Sequence, residues 1–275
     1  MSRLRRGRQA SVTESPTTAT VLADAEPYVG GSGPNGVLLC HGFTGSPRSM
    51  RPWAEHLEAD GFRVVLPRLP GHGTTWQEMN QTRWEDWYGH VDRAFTDLRA
   101  ECDRVFVCGL SMGGGMAIRI AEQHGDAVAG VAVVNPSIGS ADPRMRALPV
   151  LRHLVPSLAG VANDIALPDV LEGAYERSPL HAAWSLTRMW RDIQQHLDRV
   201  DQPLLIFKSA KDRVVDELSL TLIKAGVSSR DLTVVTLERS YHVATLDYDA
   251  ELIFTSSSAF FRRLAGEERE RVPRT

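Results

Sequence analysis

Three residue types in this chain could together break an ester or amide: Ser111 in "VFVCGLSMGGGMAI" (105–118), Asp212 just past "LLIFKSAK", and His242 just past "LTVVTLERSY". A serine hydroxyl is a poor nucleophile at neutral pH unless an adjacent base takes its proton, and that base is normally a histidine oriented by a carboxylate. Gly109-Leu110-Ser111-Met112-Gly113 matches G-x-S-x-G, the pattern of a sharp strand-to-helix turn that presents a nucleophile. The pentapeptide alone admits three readings: a flexible turn, a phosphate loop or a nucleophile. The phosphate loop fails, because no G-x-x-x-x-G-K-[ST] is present and no basic residue follows before Arg119. A dinucleotide fingerprint fails as well, since no G-x-G-x-x-G follows the strand.

The partners decide between turn and nucleophile. In the chain order serine, acid, histidine, the acid follows a late strand and the histidine follows the last one. Asp212 and His242 both fall at carboxyl ends of such strands, on the edge that carries Ser111. Asp216 and Glu217 compete with Asp212, but they open the next helix, where an acidic residue is ordinary. His41, His72 and His124 lack the required placement. No histidine pair shows H-x-x-x-H or H-E-x-x-H spacing, so a metal role is not expected. Two backbone N–H groups must also face the developing oxyanion. Met112, directly after the serine at a helix start, supplies one. Phe43, in the "HGFTG" loop after the strand "VLLC", supplies the other, with His41 and Gly42 shaping that loop.

These positions require a scaffold, and the pattern supplies one. Apolar strands at 36–42, 62–67, 104–108, 127–136, 203–208 and 232–238 alternate with helical periodicity at 49–61, 83–100, 112–124, 216–226 and 249–264. Fully apolar strands in repeated β-α-β order predict an α/β fold with a mostly parallel central sheet and helices on both faces. Residues 137–178 break the rhythm with proline-rich and helical text. They read as a small helical cap inserted between core segments 21–136 and 179–265. "ALPVLRHLVPSLAGVA" in that cap has two readings: a lid that touches membrane or micelle lipid, or a helix buried on the core. Trp184, Met189 and Trp190 beyond it line an acyl pocket or serve the core equally well.

Composition narrows the classes. The 275 residues carry a net charge of −3 and 43% hydrophobic residues, with no basic face that would favour nucleic acid. Cys40, Cys102 and Cys108 are too few and scattered for a disulfide framework, which suits a reducing, cytoplasmic setting. No apolar run approaches the roughly 20 residues that span a bilayer. The basic start lacks an apolar stretch behind its arginines, so it does not read as a secretory signal. Residues 1–20 and 266–275 read as disordered tails. No feature of the pattern specifies an oligomeric state.

"LLCHGFTGSPRSMRP", "LPRLPGHGT", "CGLSMGGG" and "SYHVATLDYD" together resemble the bacterial monoacylglycerol lipases and the related small carboxylesterases of the α/β-hydrolase superfamily, from about Gly36 to about Leu264. The resemblance implies Ser111, Asp212 and His242 as the triad and the Phe43 and Met112 amides as oxyanion donors. It implies a lipid ester substrate, no cofactor, and a cap over an apolar acyl tunnel. "LPDVLEGAYERSP" looks like the segment that recognises glycerol hydroxyls, a role that would fall on Glu172 with Val161 beside it. The bland reading of Glu172 is a solvated helix-face carboxylate. Three functions follow in order of expectation: monoacylglycerol lipase, general short-chain carboxylesterase, and a hydrolase fold that binds a ligand without catalysis.

Overall fold

The computed structural model describes residue 17 and residues 19–266. The two expected tails lie, apart from residues 17, 19, 20 and 266, outside the described residues. The strands are β1 (Tyr28–Gly30), β2 (Asn35–Cys40), β3 (Arg63–Leu66), β4 (Arg104–Leu110), β5 (Gly130–Val134), β6 (Ser157–Ala159), β7 (Arg177–Pro179), β8 (Leu204–Ser209) and β9 (Leu232–Leu237). The helices are α1 (Arg51–Ala59), α2 (Trp76–Met79), α3 (Trp84–Arg99), α4 (Met112–His124), α5 (Leu148–Leu151), α6 (Leu180–Gln194), α7 (Glu217–Gly226) and α8 (Ala250–Ala265).

Seven strands form one sheet in the order β1-β3-β2-β4-β5-β8-β9. Only β1 runs antiparallel to its neighbour β3. The remaining pairs are parallel, as the apolar strands predict. All residues of β2, β5 and β8 are buried, and β9 is largely exposed because it closes an edge. This is the α/β-hydrolase fold.

The strand period of two sorts the core into two faces. Val37, Leu39, Val64, Phe106, Cys108 and Phe207 point to α1 and α8, meeting Trp53, Leu57 and Phe261. Leu38, Val65, Val105, Val107, Val131 and Ile206 point the other way, to α3, α4 and α6. On α3 the buried residues Trp87, His90, Val91, Ala94, Phe95 and Leu98 recur at the helical period. Burying such a stripe, rather than propensity alone, is what holds a helix of this length.

The chain leaves β2 for β3 on one side and returns to β4 on the other, so the strand order reverses between β2 and β4. A crevice opens at the carboxyl ends of strands at such a point, and ligands bind there. The loop after β2 and Ser111 after β4 flank it.

The segment expected to be a helical cap holds less helix than its text predicts. It contains a 3₁₀ turn at Pro143–Ala147, the single turn α5, and the antiparallel ribbon β6–β7. Pro149 is accommodated in the first turn of α5, and prolines at 156, 168 and 179 explain the change. Each lacks an N–H, and each pushes the preceding residue toward extended backbone. Trp190 and Met189 of α6 are core residues, while the Trp184 ring carries the Arg152 guanidinium 3.6 Å from its centroid.

Candidate active site

Ser111 sits between the end of β4 and the start of α4 with φ 56° and ψ −119°. That combination lies outside the regions L-residues adopt without strain. The turn is held from both sides: the Ser111 amide donates to the Val134 carbonyl at 2.9 Å, and the Ser111 carbonyl accepts from the Gly115 and Ser137 amides. Glycine is required where the backbones meet. A Cβ on Gly109 would overlap the Gly113 carbonyl, and one on Gly113 would overlap the Cys40 carbonyl. The glycines therefore let strand, helix and the neighbouring loop close around the serine.

Met112 opens α4, so its N–H has no acceptor within the helix. The loop after β2 passes the serine closely: a Cβ on Gly42 would lie 3.6 Å from the Ser111 Cβ. Phe43 follows in that loop, its ring edge-on to Trp87 at 5.9 Å. His41 shapes the loop, as its position suggested. Its Nδ1 bonds the Gly42 carbonyl at 3.0 Å, and its Nε2 accepts from the Leu69 amide at 3.2 Å. Complete burial pushes the His41 pKa well down and keeps the ring neutral in this structural role.

Asp212 follows β8 and His242 follows β9, and the structure joins them: His242 Nδ1 lies 3.0 Å from Asp212 Oδ1. The same oxygen accepts from the Val214 and Val215 amides at 2.9 and 3.0 Å. Asp212 Oδ2 accepts from Lys208 Nζ at 2.9 Å, and Lys208 also donates to the Val215 carbonyl. Burial alone would raise the Asp212 pKa. The His242 hydrogen bond and charge, the Val215 amide and Lys208 outweigh burial and hold the carboxyl well below the usual carboxylate range. The competitor Asp216 caps α7 by accepting from the Leu218 amide, and Glu217 is exposed.

Glu172 is no solvated helix-face residue. It is buried in irregular chain, and a Cβ on Gly45 would lie 2.7 Å from its Oε1. Burial pushes its pKa up to about 7, against the field of His242. The structure thus brings Glu172 to the loop that carries Phe43. Val161 is 63% exposed and stays in solvent, unlike the buried group around Ser111.

Several contributors were not singled out from the sequence. Asn135, at φ 45°, donates to the His242 carbonyl at 2.8 Å and to Ser209 Oγ at 3.0 Å, and it accepts from the Ser209 amide. It ties the ends of β5 and β8 to the histidine loop. Its position after "VAVV" marks the end of a central strand, the one signal that could have found it. Lys208 has no sequence signal, because a lysine inside a strand reads as an edge residue. Among the described residues no group of three His, Cys, Asp or Glu side chains is arranged to hold a metal ion. No helix among them is long and apolar enough to cross a membrane.

A family model described as serine aminopeptidase, S33 (Hydrolase_4), matches residues 34–249. The chain belongs to this hydrolase family. This S33-family hydrolase is 41% identical over 251 residues to the thermostable monoacylglycerol lipase of Bacillus sp. (strain H-257), covering 90% of this chain and 98% of that one. It is 24% identical to a carboxylesterase of Bacillus subtilis (strain 168), over 87% of this chain and 97% of the relative. A solved structure from work on LipS and LipT, two metagenome-derived lipolytic enzymes, superposes with a TM-score of 0.86 at 39% identity. It covers 89% of this chain and all of the other. The resemblance read from four short motifs thus extends over nearly the whole chain.

Proposed function

We infer that this hydrolase cleaves the ester bond of monoacylglycerols to glycerol and fatty acid through an acyl-enzyme formed on Ser111. One observation carries the reading: an Asp212–His242 hydrogen bond at the sheet edge that presents a strained Ser111, in a chain 41% identical to a monoacylglycerol lipase. His242 uses Nδ1 toward Asp212, which leaves Nε2 to take the Ser111 proton as the hydroxyl attacks the ester carbonyl. The Phe43 and Met112 amides receive the oxyanion, with the α4 dipole adding a favourable field. His242 then gives its proton to the departing glycerol oxygen. Asp212 fixes the imidazole tautomer and stabilises the imidazolium without accepting its proton. Water repeats the sequence and releases the fatty acid.

Glu172, buried beside the Phe43 loop, accepts hydrogen bonds from the glycerol hydroxyls. The cap presents Val150, Leu154, Leu158, Val161 and Leu171 to solvent, a group of apolar side chains suited to transient contact with a membrane or micelle surface. The enzyme acts in the cytoplasm on substrate drawn from such a surface.

A general short-chain carboxylesterase is the second reading, favoured by the likeness to the Bacillus subtilis carboxylesterase. A substrate panel run beside a fluorophosphonate probe separates the two. Monoacylglycerols should turn over well above di- and triacylglycerols and short p-nitrophenyl esters, with the probe on Ser111. Ser111→Ala should remove both hydrolysis and labelling while the fold persists. Equal turnover of triacylglycerol sinks the monoacylglycerol reading, and hydrolysis retained in Ser111→Ala sinks the nucleophile.

A further inference from the structure

Outside the triad, one buried carboxylate gathers an unusual number of bonds. Asp247, in the turn before α8, is 3% exposed. Its Oδ2 accepts from the Ala166 amide at 2.7 Å and the Tyr241 amide at 2.9 Å. Its Oδ1 accepts from the Leu167 amide at 3.0 Å and the Tyr248 amide at 2.8 Å. Two of these donors belong to the inserted segment, and one immediately precedes His242.

A second acid in the insert completes the connection. Asp164 Oδ2 accepts from the His242 amide at 3.1 Å, and the Asp164 carbonyl accepts from the Val243 amide at 3.1 Å. The same stretch is anchored at its other end. Asn163 Oδ1 accepts from the Glu172 amide at 2.7 Å, the Tyr175 amide donates to the Thr44 carbonyl, and the Tyr175 hydroxyl donates to the Gly71 carbonyl. Residues 163–175 therefore span from the histidine loop to the loop that carries Phe43.

We propose that Asp247 and Asp164 are positioning residues for His242, and that residues 163–175 form a fixed inner bridge of the cap which sets the histidine loop against the oxyanion loop. The bridge has little helix or sheet of its own, so its amides depend on these side chains for acceptors. Each N–H that donates to an ionised carboxylate forms a charge-assisted bond, stronger than a neutral one. Removing such an acceptor frees the loop on both sides of the histidine at once. The exposed apolar residues Val150, Leu154, Leu158 and Val161 lie outside the bridge, and Leu171 lies within it. The proposal rests on the reading of His242 as the general base.

Asp247→Asn tests it. The amide keeps the size of the side chain but places an NH₂ group where two backbone N–H groups point. A displacement of about 1 Å in a reacting group costs on the order of 100-fold in rate. With a soluble p-nitrophenyl butyrate substrate, kcat should fall roughly 10- to 100-fold while KM stays within about threefold, because the lost bonds orient the base and do not themselves bind the ester. Labelling by the fluorophosphonate should slow in parallel, and cooperative unfolding should be retained at the assay temperature. Asp164→Ala, which removes the bond to the His242 amide and the 4.0 Å ion pair with Arg213, should lower kcat roughly 3- to 10-fold and serves if Asp247→Asn does not fold.

A folded Asp247→Asn with kcat within twofold of wild type overturns the proposal. So does an Asp164→Ala variant with unchanged kcat, or a loss in either variant that appears in KM alone. His242→Ala is measured alongside: turnover retained there refutes the base assignment itself, a result distinct from any of the above.

Discussion

The backbone of Ser111 makes a prediction about stability that is independent of any substrate. At φ 56° and ψ −119°, the Cβ of Ser111 stands in a conformation that only glycine adopts freely. A residue held in such a region carries strain of about 1–3 kcal/mol. Ser111→Gly removes the strain and adds freedom to the unfolded chain, which costs roughly 0.5–1 kcal/mol. Ser111→Ala keeps the Cβ and hence the strain. Both variants lose the hydroxyl, so their difference isolates the backbone. Ser111→Gly should exceed Ser111→Ala in stability by about 1–2 kcal/mol, read as a higher urea midpoint at unchanged slope. For a chain of this size the melting temperature should rise by about 2–4 °C. Both variants should be inactive. A Ser111→Gly variant less stable than Ser111→Ala by the full entropic cost, about 0.5–1 kcal/mol, would mean that the turn stores no strain, and the elbow would then owe its geometry to packing alone.

Two further outcomes follow from single positions. Glu172 has a folded pKa raised to about 7, so its share of stability is present at acid pH and lost as pH rises through about 7. Glu172→Gln should gain on wild type by about 2–3 kcal/mol between pH 5 and pH 8 in urea denaturation, and a pH-independent difference would place the carboxyl in water. Gly113→Ala would drive a Cβ into the Cys40 carbonyl and within 2.7 Å of the His41 carbonyl. It should destabilise the fold by about 3 kcal/mol, and near-wild-type stability would refute the close approach of α4 to the β2 loop.

The core elements were legible because their physics is local. The strand and helix periods of 35–134 and 203–265 match the observed elements within a few residues, since the central strands bury both faces and each helix one stripe. Short β1 lacks any such period and was not anticipated; its three residues pair with β3 only because that edge is open. The insert misled for the same reason. Its apolar text suggests helix, but prolines interrupt it, and its amides are satisfied by Asp247 from across the site and by Asn163 within the insert itself.

Chemistry shows the same division. The sequence by itself determined that a serine stood in an elbow, that an aspartate and a histidine followed late strands, and that glycines surrounded the serine, because turn chemistry and chain order depend on near neighbours. Only the tertiary structure decided that Asp212 rather than Asp216 meets His242, that Glu172 is buried with a raised pKa, that Asn135 and Asp164 bond the His242 main chain, that Lys208 bonds Asp212, and that Asp247 bonds the Tyr241 amide. Those contacts join residues from 4 to 107 positions apart. A hydrogen bond between distant segments leaves no period in the sequence, and burial of a charge depends on every element packed around it.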